Sequence, residues 1–164
     1  MDAALEDNWW ARLAERLAVE AEIRGGRALV ESECVVRLDA PADSQGESIH
    51  LTRYDDGLCK LEVGFFASFM ANFVEFDDQN GILGYVVAVL DGHASEAVDV
   101  TYDGEWIGVG AIIEQVHGDG TTRTARSRRP APGQANALPA AHTFSRRIIG
   151  WGGLRFLDGG SAGE

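Results

Sequence analysis

An α+β fold built on a largely antiparallel sheet is what three features of these 164 residues predict: a long amphipathic segment at the N-terminus, period-two stretches bounded by Asp-Gly turns, and two apolar segments. In order they read α-βββ-α-βββ. That makes about six strands with the helices packed on one face, followed by an extended C-terminal arm.

The first element is a helix from about Ala3 to Arg24, with Asp2 as its N-cap. Trp9, Leu13 and Leu17 recur at helical spacing, and Trp10, Ala14 and Ala21 widen the same face. Glu6 and Asp7 near the start and Arg24 near the end suit the helix dipole, and Gly25-Gly26 supplies the stop. Next, Val30, Ser32, Cys34, Val36 and Leu38 alternate with Glu31, Glu33, Val35 and Arg37, which reads as one strand with a wet face. A polar loop covers Ala40 to Glu47.

Two hairpins share a Tyr-Asp-Gly signature, and burial sets the register of each. Leu51 opposite Leu61 and Ile49 opposite Val63 leave Asp55-Asp56-Gly57 as a three-residue loop with glycine in the left-handed position. Val98 and Val100 facing Val109 and Ile107 leave Asp103-Gly104, a two-residue type I′ turn. Trp106 then falls on the face opposite Val100 and Ile107, beside Gly108 and Gly110.

Between the hairpins, Phe66, Phe69, Phe73 and Phe76 recur at helical spacing around Met70 and predict a short helix. The run Ile82 to Leu90 is apolar without alternation, as a strand covered on both faces would be. After residue 114 the composition changes. Residues 115–147 are rich in Arg, Pro and Gly and read as a flexible linker, and residues 148–164 as a short apolar docking segment and tail. The expected organisation is therefore an acidic domain over 1–114, a linker and a docking segment.

Charge is distributed unevenly. Residues 1–114 hold 23 Asp plus Glu against 7 Lys plus Arg, a balance of −16, whereas residues 115–164 hold 3 acids against 7 arginines, a balance of +4. So negative a body repels nucleic acid and anionic membrane and attracts basic proteins. The acidic N-terminus and the lack of an eighteen-residue apolar run predict a soluble, cytoplasmic protein without a membrane span. Cys34 and Cys59 have no metal-ligand spacing and read as core thiols.

No motif fixes a reaction. The four histidines stand singly, Asp77-Asp78-Gln79-Asn80-Gly81 lacks the spacing of a calcium loop, and neither a phosphate-binding loop nor a nucleophile elbow occurs. Neither cofactor nor metal is expected. The first functional expectation is a non-enzymatic module that neutralises or escorts a basic protein partner. In size and charge it is analogous to immunity proteins that block toxin nucleases and to small acidic secretion chaperones, with no motif shared. Its candidate partner surface is Asp55, Asp56, Asp77, Asp78, Asp103 and Glu105, with Trp106 as anchor.

The second expectation is a structural subunit joined to copies of itself by the arm, and the third is a small enzyme with a dispersed site. For docking of the arm the candidates are Arg126, Arg128 and Arg129, with Ile148, Trp151, Leu154 and Phe156 forming the apolar patch. Arg123 belongs to the same basic cluster. That cluster has no neighbouring aromatic on which a base could stack, so it is expected to lie on the acidic body.

Overall fold

Helix α1 spans Ala3–Ile23 and buries Trp10, Leu13, Leu17 and Ala21 along one stripe, which is the face the sequence marks. It ends in a Schellman motif. Gly26 N–H donates to Ala21 C=O at 2.9 Å and Gly25 N–H to Glu22 C=O at 2.9 Å, with Gly25 at φ +78°. The computed structural model describes residues 3–54, 58–65, 67–72, 79–130 and 141–151. Over them the protein is α+β, mostly sheet, with two helices and two antiparallel sheets.

The first sheet runs β1-β2-β3-β4-β5, with β1 Arg27–Ser32, β2 Val35–Asp39, β3 Ile49–Arg53, β4 Leu58–Val63 and β5 Ala67–Asn72. The single strand expected over residues 30–38 is instead a tight hairpin, β1 and β2, with Val30 opposite Val36. Alternation continues across the turn at Glu33-Cys34, and no glycine, proline or asparagine marks it. The β3–β4 register is the expected one: Ile49 faces Val63 and Leu51 faces Leu61, all four buried. Tyr54 N–H donates to Leu58 C=O at 2.8 Å and closes that hairpin, whose tip, residues 55–57, lies outside the described residues.

Two elements exchange type relative to the sequence reading. The phenylalanine-rich segment forms strand β5 rather than a helix. Gly64, at φ +66°, turns the chain so that Ala67 meets Val63 and Phe69 meets Leu61. Ala67 and Phe69 are buried and Met70 is exposed, a period of two. Pairing with β4 satisfies that strand's backbone groups, an advantage no helix spacing conveys. Phe66, Phe73 and Phe76 fall outside the described residues. Conversely, the run expected as a strand is helix α2, Gln79–Leu90. It is buried on most sides, so it shows no amphipathic stripe. Gly92 at φ +81° caps it: His93 N–H donates to Ala88 C=O at 2.8 Å, as Gly26 does for α1.

The second sheet runs β8-β7-β6-β9, with β6 Ala94–Val100, β7 Trp106–Val116, β8 Thr122–Pro130 and β9 His142–Arg147. Its two outer strands lie within the stretch expected as a flexible linker. Ladder hydrogen bonds to β7 and β6 hold them, so they need little apolar content. In place of one sheet with helices on one face, each sheet carries its own helix. α1 packs on β1, β2 and α2; α2 packs on β7; and β5 lies against β7 and β8. One hydrophobic core joins both sheets and both helices.

Candidate functional site

The end of the second sheet carrying the β6–β7 turn gathers three of the candidate residues, Asp103, Glu105 and Trp106. Val98 faces Val109 as expected, but the register then shifts, and Val100 is opposite Trp106 rather than Ile107. The extra residue is a bulge, which lets Val100 and Ile107 both stay buried. The turn itself holds Tyr102, Asp103 and Gly104. Thr101 N–H donates to Glu105 C=O at 2.9 Å, Gly104 N–H to Thr101 C=O at 3.0 Å, and Gly104 has φ +83°. This is the three-residue loop with a left-handed glycine, not the two-residue turn read from the sequence.

That turn projects Tyr102 into solvent, 89% exposed, and leaves Trp106 52% exposed. Asp103 and Glu105 beside them are exposed, and their carboxylates form no ion pair among the described residues. Strand β9 then adds His142, opposite Val100, and Phe144, opposite Val98 and 65% exposed. The ring centroids of Tyr102 and His142 lie 5.9 Å apart, and those of His142 and Phe144 6.4 Å apart. Aromatic residues from β7, β9 and the turn thus share one end of a hydrogen-bonded sheet.

Strand β9 is locked in place by an ion cluster two residues from Phe144. Arg146 sits opposite Glu96, and its Nε donates to Glu96 Oε1 at 2.6 Å while its Nη2 donates to Glu47 Oε1 at 2.6 Å. Glu96 is 3% exposed, and its carboxylate also accepts from Phe65 N–H at 3.1 Å. Gly64 leaves room for it, since a Cβ there would lie 3.0 Å from Glu96 Oε2. The Arg146 guanidinium stacks over Phe65 at 4.5 Å. Burial alone would weaken its hold on the proton, but the hydrogen bonds to Glu47 and Glu96 outweigh this and raise its pKa above the ordinary arginine value. Beside the cluster a cleft of about 310 Å³ opens along Glu47, His50, Glu62 and Phe65.

The outer face of the sheet is tied by Asp99. Its carboxylate accepts from Arg128 Nη2 at 2.7 Å and from Thr143 Oγ1 at 2.7 Å, linking β8 and β9 through β6. The bare backbone of Gly108 and Gly110 lets this connection cross β7; a Cβ on Gly108 would stand 3.4 Å from Asp99 Oδ2.

The other candidates are dispersed. Asp55, Asp56, Asp77, Asp78, Leu154 and Phe156 lie outside the described residues. Arg126, Arg128 and Arg129 all stand on β8, remote in sequence from Ile148 and Trp151, which enter the core at 0% and 7% exposure. Ile148 N–H donates to Ala94 C=O, Trp151 N–H to Leu90 C=O, and the indole N–H to Glu47 C=O at 2.9 Å. Tyr102, His142, Phe144, Glu96 and Arg146 were not singled out from the sequence. The period-two spacing of His142, Phe144 and Arg146 was the available signal, obscured by the polar setting.

Among the described residues no group of three or more His, Cys, Asp or Glu is arranged to hold a metal ion. No described helix is long and apolar enough to cross a membrane, which says nothing of a β-barrel. No family model, curated protein or solved structure matches this chain.

Proposed function

We propose that this protein is a non-enzymatic binding module that docks a basic protein partner on the β6–β7 end of its second sheet. The observation that carries the reading is the exposed aromatic group Tyr102, Trp106 and Phe144 on hydrogen-bonded strands, next to Asp103 and Glu105, whose carboxylates form no ion pair among the described residues. At roughly 200 Å² per aromatic side chain, their exposed fractions add to about 400 Å² of ring surface, within the range of functional patches on monomers. Rigid aromatics lose little entropy on binding and make effective anchors.

Charge supports the choice of partner. A chain of net charge −12 draws a cationic protein to fast encounter, and the aromatic group then supplies affinity. Masking a partner's basic face would neutralise or escort it, the manner of action of the acidic immunity proteins and secretion chaperones that this chain parallels in size and charge. We place the activity in the cytoplasm, where the free thiols of Cys34 and Cys59 are at home.

The test is cross-linking of the full chain in its source cells, with mass spectrometry of the products, followed by kinetics on the purified pair. The expected result is a basic partner cross-linked near Tyr102 to Trp106, with an association rate that falls as salt rises. Trp106→Ala should weaken binding by about thirtyfold or more, the loss that marks a hot spot. A partner that is acidic, that cross-links elsewhere, or that binds Trp106→Ala unchanged would overturn the reading.

A further inference from the structure

A cavity of about 330 Å³ lies where the two sheets meet, bounded by β4, β5, α2, β7 and β8. Protein interiors are packed to the density of organic crystals, with few voids larger than a water molecule. This space is partly open to solvent and falls within the size of small-molecule sites. Leu61, Phe69, Ile82 and Ile113, all buried, form part of its wall. Buried water needs two to four polar partners, and such a wall offers few. An apolar occupant is the better fit.

The surroundings identify the other end of that occupant. Arg123 lines the cavity together with Tyr85, its guanidinium 5.6 Å from the ring centroid. It belongs to β8, which carries four arginines and no acid in a chain of net charge −12. Arg123 and Arg126 of this strand line the cavity, whereas Arg128 turns to the outer face, where Asp99 pairs it. The position also provides a way in. β5 and β8 are outer strands of different sheets, in contact but not hydrogen-bonded to each other, so the seam can part without breaking a ladder.

We infer that this cavity binds a medium-chain aliphatic carboxylate, its hydrocarbon chain among Leu61, Phe69, Ile82 and Ile113 and its carboxylate at Arg123. This site is separate from the aromatic end of the second sheet and does not depend on the proposed partner. Binding is non-covalent and leaves the ligand unchanged.

Calorimetric titration of the full chain with hexanoate, octanoate, decanoate and dodecanoate tests the inference, with octanol and octyltrimethylammonium as head-group controls. Affinity should rise about fourfold per added methylene until the cavity is filled, then level off. Octanoate should bind more tightly than either control. Arg123→Gln should weaken octanoate about tenfold or more while leaving octanol unchanged. Ala125→Leu places a larger side chain in the cavity wall and should abolish binding; its circular dichroism and melting curve establish that it is folded. The inference is overturned if no carboxylate binds at millimolar concentration. It is equally overturned if affinity ignores chain length, if octyltrimethylammonium binds as well as octanoate, or if a folded Ala125→Leu protein binds normally.

Discussion

Replacing Arg146 by methionine probes the cluster that sets β9, and through it the aromatic surface. The change keeps a long apolar stem against Phe65 but removes the guanidinium from two carboxylates. Glu96 has a side chain only 2% exposed and Glu47 one 19% exposed, so neither regains much water. Breaking a buried ion pair from one side costs about 3–5 kcal/mol, because the partner charge stays buried without compensation. Glu96 keeps its hydrogen bond from Phe65 N–H, and Arg146 is itself about one-third exposed, which places the expected loss near 3 kcal/mol.

Urea unfolding at neutral pH measures this loss, and a double-mutant cycle with Glu96→Gln assigns it. Glu96→Gln alone leaves Arg146 its pair with Glu47, while the double variant removes the stranded charge. The double variant should therefore be more stable than Arg146→Met alone, with a coupling of about 1–3 kcal/mol. A loss below about 0.5 kcal/mol, or additive effects, would refute the reasoning that Glu96 depends on Arg146.

Three further outcomes follow from local geometry. Gly150→Ala should destabilise the protein by about 1–3 kcal/mol in thermal or urea unfolding, because its Cβ would lie 2.4 Å from Gly92 N and 2.7 Å from Leu90 O, backbone atoms that cannot rotate away. Burial opposes the charge of Asp39, but hydrogen bonds from Arg37 and Arg27 outweigh it and hold its pKa below 3.8. Its contribution is thus complete above pH 3.8 and lost as pH falls through the lowered folded value. Asp39→Asn should cost about 0.2–1 kcal/mol near neutrality, and the two stability curves should converge in acid. Burial pushes the Cys59 thiol up to about 12, so in the native state a thiol reagent should label the half-buried Cys34 first, with Cys59 following only on unfolding.

What the chain determined by itself is what short-range chemistry controls. The stripe Trp10, Leu13, Leu17, Ala21 and the Gly25 cap define α1 within one contiguous segment, and alternation pairs Ile49 with Val63 across a short loop. Tertiary structure decided the rest. Residues 67–72 and 79–90 are both apolar enough for either state. The open edge of β4 drew the first into a strand, and burial on most sides made the second a helix without a stripe. Its stop at Gly92 repeats the left-handed conformation of Gly25, but such a glycine serves a turn between strands equally well.

The outer strands β8 and β9 carry almost no apolar signal because ladder hydrogen bonds hold them, and such bonds leave no trace in composition. For the same reason the candidate site was only half legible. Asp103, Glu105 and Trp106 belong to one turn and could be read together, whereas His142 and Phe144 join Tyr102 because β9 pairs with β6, where Arg146 meets Glu96 across fifty residues of chain. A charge pair of that separation is a property of the folded sheet and has no counterpart in local sequence.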